Sequence, residues 1–211
     1  MKFEYYENPT PHIIVRDYFD KEELAKIWQE LDFLTYSNKL LPPDITGSAR
    51  NSDNQIIKNN HGLFLDEIYT IKNISNILTI NRKLWDPEFA KKAADHHFIF
   101  NYILNSNQDS TLVSYYEEDN YYFPHTDSAV LTAIINFYKE PLQFTGGDLM
   151  LGSENNIIPV ENNRLVIFPS CAMHAVTSIK FISPQPPFSG MGRYTISQFI
   201  NVANLKYPIK S

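Results

Sequence analysis

His125 and Asp127 stand two residues apart, and His174 and then Arg193 follow them, His174 coming 47 residues after Asp127. Nothing else in the chain constrains its fold as much. Side chains at i and i+2 of a strand point to the same face. His125 and Asp127 can therefore work together from one strand end, with Thr126 turned the other way. His174 must arrive on a second strand and Arg193 on a third. The intervening segment has room for several short strands and turns, as an all-β sandwich or barrel requires.

The hydrophobic pattern agrees from about residue 97 onward. Val130, Thr132, Ile134 and Asn136 share one face of a strand, and Leu131, Ala133, Ile135 and Phe137 share the other. Both faces read as largely buried, with Thr132 and Asn136 turned to a polar interior. Residues 164–169 form a similar run. In 193–200, Arg193, Thr195, Ser197 and Phe199 alternate with Tyr194, Ile196, Gln198 and Ile200. A polar interior rimmed by apolar residues is what a jelly roll enclosing a metal site needs. The aromatic content of 14% also favours pleated, half-buried surfaces.

The first half reads differently. Residues 11–19 predict a strand. Asp20 and Glu23 form a capping box, and Leu24, Ile27, Trp28, Leu31 and Leu34 repeat at helical spacing to about residue 34. Residues 36–60, with Pro42-Pro43 and several Asn, read as a long loop flanking the substrate. Helical stretches are expected around 63–70, 72–83 and 87–95. The expected organisation is one domain over 1–211, with helical and loop support over about 1–96 and a jelly-roll core over about 97–203.

The chemistry follows from the residue types. Two histidines and one carboxylate can fill one face of an iron octahedron, leaving three positions for a cosubstrate and O₂. The Arg193 guanidinium is a rigid two-toothed donor for a dicarboxylate. Tyr116, Thr195 and Asn136 are further cofactor-binding candidates, Asn136 because of the face it occupies. His12, His61, His96 and His97 lack this context and read as structural or exposed. Cys171, the single cysteine, excludes an intrachain disulfide and reads as a buried structural thiol rather than a nucleophile. Gly146-Gly147 has no Lys-Ser/Thr and helix after it, so it reads as a turn or bulge before a strand, not a phosphate loop. The net charge of −6, without a Lys/Arg cluster, lacks the footprint of a nucleic-acid binder. The N-terminal residues lack the apolar core of a signal peptide, and no run approaches a membrane span, so an intracellular, cytoplasmic protein is expected.

Four motifs in order resemble the prolyl-4-hydroxylase-like branch of the Fe(II)/2-oxoglutarate dioxygenases. Tyr116, Asp119, Tyr122, His125 and Asp127 follow its Tyr-x-x-Gly-x-x-Tyr-x-x-His-x-Asp pattern, with Asp119 where glycine is usual. Thr145-Gly146-Gly147-Asp148-Leu149 resembles its Gly-Gly-x-Leu strand entry. Residues 163–168 resemble the strand leading to the second metal histidine, and 193–197 the closing strand. A second departure is the segment 177–192, with Pro184, Pro186, Pro187, Gly190 and Gly192, which is longer than usual.

The resemblance implies a mainly β fold, a double-stranded β-helix or jelly roll with supporting N-terminal helices. It implies Fe(II) on His125, Asp127 and His174, with 2-oxoglutarate and O₂ as cosubstrates and ascorbate as a candidate reductant. The distal carboxylate of 2-oxoglutarate would pair with Arg193. Succinate and CO₂ would be released as an unactivated C–H bond is hydroxylated. Asp127 argues for hydroxylation over halogenation, since halogenating relatives carry a small residue there. The expected substrate is a prolyl residue in a protein or peptide. The alternatives are a free amino acid or other small molecule, and a catalytically silent jelly roll that binds metal or ligand.

Overall fold

Alternation of side chains governs the architecture, because the largest sheet is covered on both faces. The structure, a computed structural model, describes residues 1–46, 50 and 53–203. Its strands are β1 (Lys2–Tyr6), β2 (His12–Arg16), β3 (His61–Phe64), β4 (Gln108–Tyr116), β5 (Tyr122–His125), β6 (Leu131–Phe137), β7 (Phe144–Thr145), β8 (Leu149–Leu151), β9 (Ser153–Ile158), β10 (Arg164–Pro169), β11 (His174–Val176), β12 (Lys180–Phe181) and β13 (Arg193–Asn201). The helices are α1 (Lys21–Tyr36), α2 (Leu65–Ile68), α3 (Asn76–Ile80), α4 (Pro87–Ala94) and α5 (Asn101–Asn105). A seven-stranded sheet runs β1-β2-β10-β6-β13-β4-β3, and a four-stranded sheet runs β5-β11-β8-β9. A short pair, β12-β7, completes the set. The described strand pairs are antiparallel, and the fold is the jelly roll with supporting helices that the sequence predicts.

One face of the large sheet packs on the helices. Ile13, Val15, Leu165, Ile167, Ile135 and Ile196 share a core with Ile27, Leu31 and Leu34 of α1 and with residues of α3 and α4. The alternate residues point the other way. Ile14, Ile134, Val166 and Phe168 meet Leu149, Leu151 and Ile158 of the small sheet. Burying such a side chain stabilises by roughly 1.5–3 kcal/mol each. The two cores together lock the register of the large sheet, since a one-residue slip would exchange its faces.

Helix α1 starts where the capping box places it. Asp20 accepts from the backbone of Glu22 and Glu23, and Glu23 returns a bond to the Asp20 backbone. Inside the helix Glu30 is buried, and its carboxylate accepts from Ser75 Oγ at 2.7 Å and from the Ile77 backbone at 2.8 Å.

Several local expectations differ from the structure. β1 was not anticipated, because its residues are mostly exposed and it is a strand by virtue of pairing with β2. The expected helix at 63–70 is instead strand β3 followed by the short α2, since 61–64 pairs with 112–115. Residues 98–105 are helical rather than extended, and the core strands begin at Gln108. Three strands of the large sheet, β1 to β3, therefore come from the segment read as helical and loop support. No described helix is long and apolar enough to cross a membrane.

Candidate metal and cofactor site

Strands β5 and β11 pair so that His125 and His174 stand directly opposite each other. Their ring centroids are 4.2 Å apart. Asp127 lies two residues beyond the end of β5, and its oxygens are 3.8 Å from His125 Nε2 and 3.3 Å from His174 Nε2. One ligand atom from each of the three residues falls within 4.8 Å of the others, the only such group among the described residues. Because β5 ends at His125, strand alternation no longer governs Thr126. Contrary to expectation, Thr126 lines the cavity too.

Each histidine is oriented through its other nitrogen. His125 Nδ1 bonds the Phe123 carbonyl at 2.8 Å, and His174 Nδ1 bonds the Ala172 carbonyl at 3.0 Å. A carbonyl can only accept, so Nδ1 carries the proton in the neutral ring and Nε2 keeps a lone pair toward Asp127. Tyr122 stacks on His125 with centroids 3.6 Å apart, and Phe168 packs edge-on against His174. Thr132 Oγ1 donates to Asp127 Oδ2 at 2.7 Å and contacts Ser170 Oγ at 2.8 Å. Burial works to raise the Asp127 carboxyl, but His174, Thr132 and His125 outweigh it and hold it below the usual range. Burial, helped by His174, pushes His125 down to about 4. The donor set is thus a carboxylate held in its ionised form between two imidazoles whose Nε2 atoms face it, which suits a divalent iron.

Arg193 enters the same cavity from β13 and is fully buried. Its Nη2 donates to Asn136 Oδ1 at 2.8 Å, and its guanidinium lies 4.9 Å from the centre of the Tyr116 ring. Nε and Nη1 have no partner in the protein, and no described carboxylate lies within ion-pair distance of the group. A buried guanidinium in this condition calls for an anion, since an unpaired buried charge is costly. The other nearby bases are engaged elsewhere. Arg164 pairs with Glu161, and exposed Lys180 pairs with Glu118 and Asp119.

The remaining candidates divide. Tyr116 and Thr195 line the cavity with the triad and Arg193. Asn136 is not among the residues that line it; its Oδ1 accepts from Arg193 Nη2. His12 is buried with Nδ1 on the Thr10 carbonyl, and His61, His96 and His97 are likewise outside the triad. Cys171 is exposed, which overturns its reading as a buried thiol.

Two features escaped the sequence. Gly146 and Gly147 are the expected turn, with φ of +74° and +75°, but Gly147 also has a packing role. A Cβ on it would stand 2.8 Å from Arg193 Cδ. The second feature is Lys58, a cavity-lining lysine in the segment read as a loop.

The two departures from the family pattern meet. Asp119 has φ of +62°, the left-handed conformation that suits glycine. Lys180, in the longer segment, pairs with it, and the Phe181 backbone donates to Glu118. Further along, the Phe188 backbone donates to Glu117, and the Gly190 and Gly192 backbones donate to Tyr115 Oη. The longer connection is therefore pinned to the end of β4, and it delivers Arg193 into register with Tyr116.

Residues 111–201 match the family model described as the 2OG-Fe(II) oxygenase superfamily, in line with the Fe(II)/2-oxoglutarate dioxygenase resemblance read from the same segment. A search of curated proteins finds no match. Among solved structures, a prolyl-4-hydroxylase from Pseudomonas putida is 12% identical, with a TM-score of 0.61 over 91% of this chain and 92% of that one. A viral collagen prolyl hydroxylase from Paramecium Bursaria Chlorella virus-1 is also 12% identical, with a TM-score of 0.56 over 91% and 96%. A non-haem α-ketoglutarate-dependent epimerase from nogalamycin biosynthesis is 10% identical, with a TM-score of 0.53 over 95% and 84%. At these identities the likeness is one of fold.

Proposed function

We propose that the chain, whose residues 111–201 match the 2OG-Fe(II) oxygenase superfamily model, is a single-domain hydroxylase whose substrate is a prolyl residue in a protein or peptide. The observation that carries the reading is Arg193, buried and short of an anionic partner, in one cavity with His125, Asp127 and His174. The cavity is about 400 Å³, a size that suits a small dicarboxylate beside a metal.

In this reading His125, Asp127 and His174 hold Fe(II), and Arg193 holds the distal carboxylate of 2-oxoglutarate. Bound iron, with 2-oxoglutarate and O₂, supplies the oxidising power to hydroxylate an unactivated C–H bond, and succinate and CO₂ leave. The protein contributes orientation. The two backbone carbonyls set the imidazole tautomers, Thr132 steadies Asp127, and Asn136 and Tyr116 fix the guanidinium. Thr195 offers a hydroxyl on the same wall as Arg193. The apolar core between the sheets excludes water behind the triad.

The prolyl assignment rests on analogy with the prolyl-4-hydroxylase-like branch, which the Tyr-x-x-x-x-x-Tyr-x-x-His-x-Asp motif and its neighbours resemble, and not on a substrate-reading residue. Its test is mass spectrometry of proline-containing peptides and free amino acids after incubation with Fe(II), ascorbate and 2-oxoglutarate. A one-oxygen gain on a prolyl ring supports it. Succinate release with the gain on another molecule would keep the oxygenase and replace the substrate. No 2-oxoglutarate consumption with any candidate would favour a silent binder.

A further inference from the structure

Lys58 is 5% exposed, yet no described carboxylate lies within ion-pair distance of it. Its Nζ donates to the Thr46 carbonyl and, at 3.0 Å, to Thr46 Oγ1. It lines the same cavity as His125, Asp127, His174 and Arg193. Its backbone is held firmly. Lys58 bridges Tyr122, the Phe123 backbone donates to Ile57, and the Asn59 backbone donates to Tyr121. The segment thus lies along β5, the strand that ends in His125.

The charge balance of the cavity is unusual for a chain of net charge −6. Asp127 is its single described acidic residue, against Lys58, Arg193 and the exposed Arg50. In the oxygenase reading, divalent iron and doubly ionised 2-oxoglutarate cancel each other, and Asp127 balances Arg193. The Lys58 ammonium is left over on the wall of the site, in a place where burial makes an uncompensated charge costly. Arg50 is exposed and screened by solvent, so the buried Lys58 ammonium is the charge that lacks a counterion, and one carboxylate supplies it.

We propose that Lys58 determines specificity by receiving a carboxylate of the substrate, so that the enzyme selects an acidic substrate: a free amino acid, or a peptide that presents its C-terminal carboxylate. The proposal rests on the oxygenase chemistry above, not on its prolyl assignment, and it adds a requirement for a substrate carboxylate. Burial lowers the ammonium to about 8, so it stays cationic at neutral pH while being readily stabilised by an anion.

The test is calorimetric binding to the full chain loaded with Mn(II) and 2-oxoglutarate without O₂. The probes are free L-amino acids, each paired with its amide, and N-acetylated proline-containing peptides with free or amidated C-termini. At least one acid should bind, with its amide weaker by roughly 30-fold or more. Which pair shows the contrast tells free amino acid from peptide. Lys58→Met should abolish the contrast and leave Mn(II) and 2-oxoglutarate affinities unchanged. Equal binding of acids and amides by the wild-type protein overturns the proposal, as does failure of every acid to bind. So does a Lys58→Met protein that keeps the contrast. The wild-type comparison does not depend on any variant folding. Failure of 2-oxoglutarate itself to bind would instead sink the oxygenase reading.

Discussion

Gly147 and Arg193 are packed so closely that a single added carbon at Gly147 would stand 2.8 Å from Arg193 Cδ. The glycine also has φ of +75°, so its lack of a Cβ serves both the turn and the neighbouring arginine. Gly147→Ala should therefore do two things. It should lower stability by about 1–3 kcal/mol, the cost of a strained backbone, read as a lower urea midpoint. It should also weaken 2-oxoglutarate binding without changing Mn(II) affinity, as titration of each will show. Unaltered 2-oxoglutarate affinity would separate the glycine from the arginine.

Arg193→Ala should weaken 2-oxoglutarate binding by about 2–5 kcal/mol, a factor of roughly 30 to several thousand, because a buried charge-assisted pair is lost. Arg193→Lys should recover only part of this, since an ammonium keeps the charge and loses the planar fork. Metal affinity should stay near wild type in both. The check is calorimetry with 2-oxoglutarate on the Mn(II)-loaded protein, and unchanged affinity in Arg193→Ala would remove the arginine from the site.

Asn136→Ala removes the side chain that holds Arg193 Nη2. It should weaken 2-oxoglutarate binding less than Arg193→Ala does. Its effect should largely vanish in the Arg193→Ala background, because the two residues act through one contact. Additive losses in the double variant would mean that Asn136 touches the cosubstrate itself.

His125→Ala, Asp127→Ala and His174→Ala should each abolish succinate formation. Each should also lower Fe(II) affinity by more than the roughly 10- to 100-fold that loss of an outer-shell partner costs. Thr132→Val, which removes the hydroxyl on Asp127, should fall within that smaller range. Near-wild-type succinate production in any two of the alanine variants would end the iron reading.

The metal-free protein should lose stability on acidification, and His125 sets part of the window. Its folded pKa is lowered to about 4 from 6.5, chiefly by burial. Between those values the unfolded chain binds the proton more readily than the folded one, so stability rises with pH and falls as pH drops from 6.5 toward 4. The full effect is on the order of 3 kcal/mol. Urea denaturation in the presence of a chelator, from pH 7 to 4.5, should show this slope, and His125→Asn should flatten it. Identical slopes would show that His125 is not buried as a neutral ring.

How much of this was legible in the chain depends on the range of the interaction. Local chemistry was readable: the Asp20 and Glu23 capping box begins α1 as expected, and the alternation around residues 131–137 and 193–200 assigned the faces of β6 and β13 correctly. The His-x-Asp spacing, His174 and Arg193 named the residues that the fold gathers in one cavity. The amino-acid sequence by itself determined which side chains can serve a metal and a dicarboxylate, and which faces of the strands are apolar, because these depend on residue type and a period of two. Only the tertiary structure decided the rest. It made β1 and β3 strands through pairing with β2 and β4, and turned Asn136 toward Arg193. It passed Arg193 beside Gly147 and carried Lys58 along β5 into the cavity. Each of these joins residues far apart in the chain, and such contacts exist only once separate strands have been brought side by side.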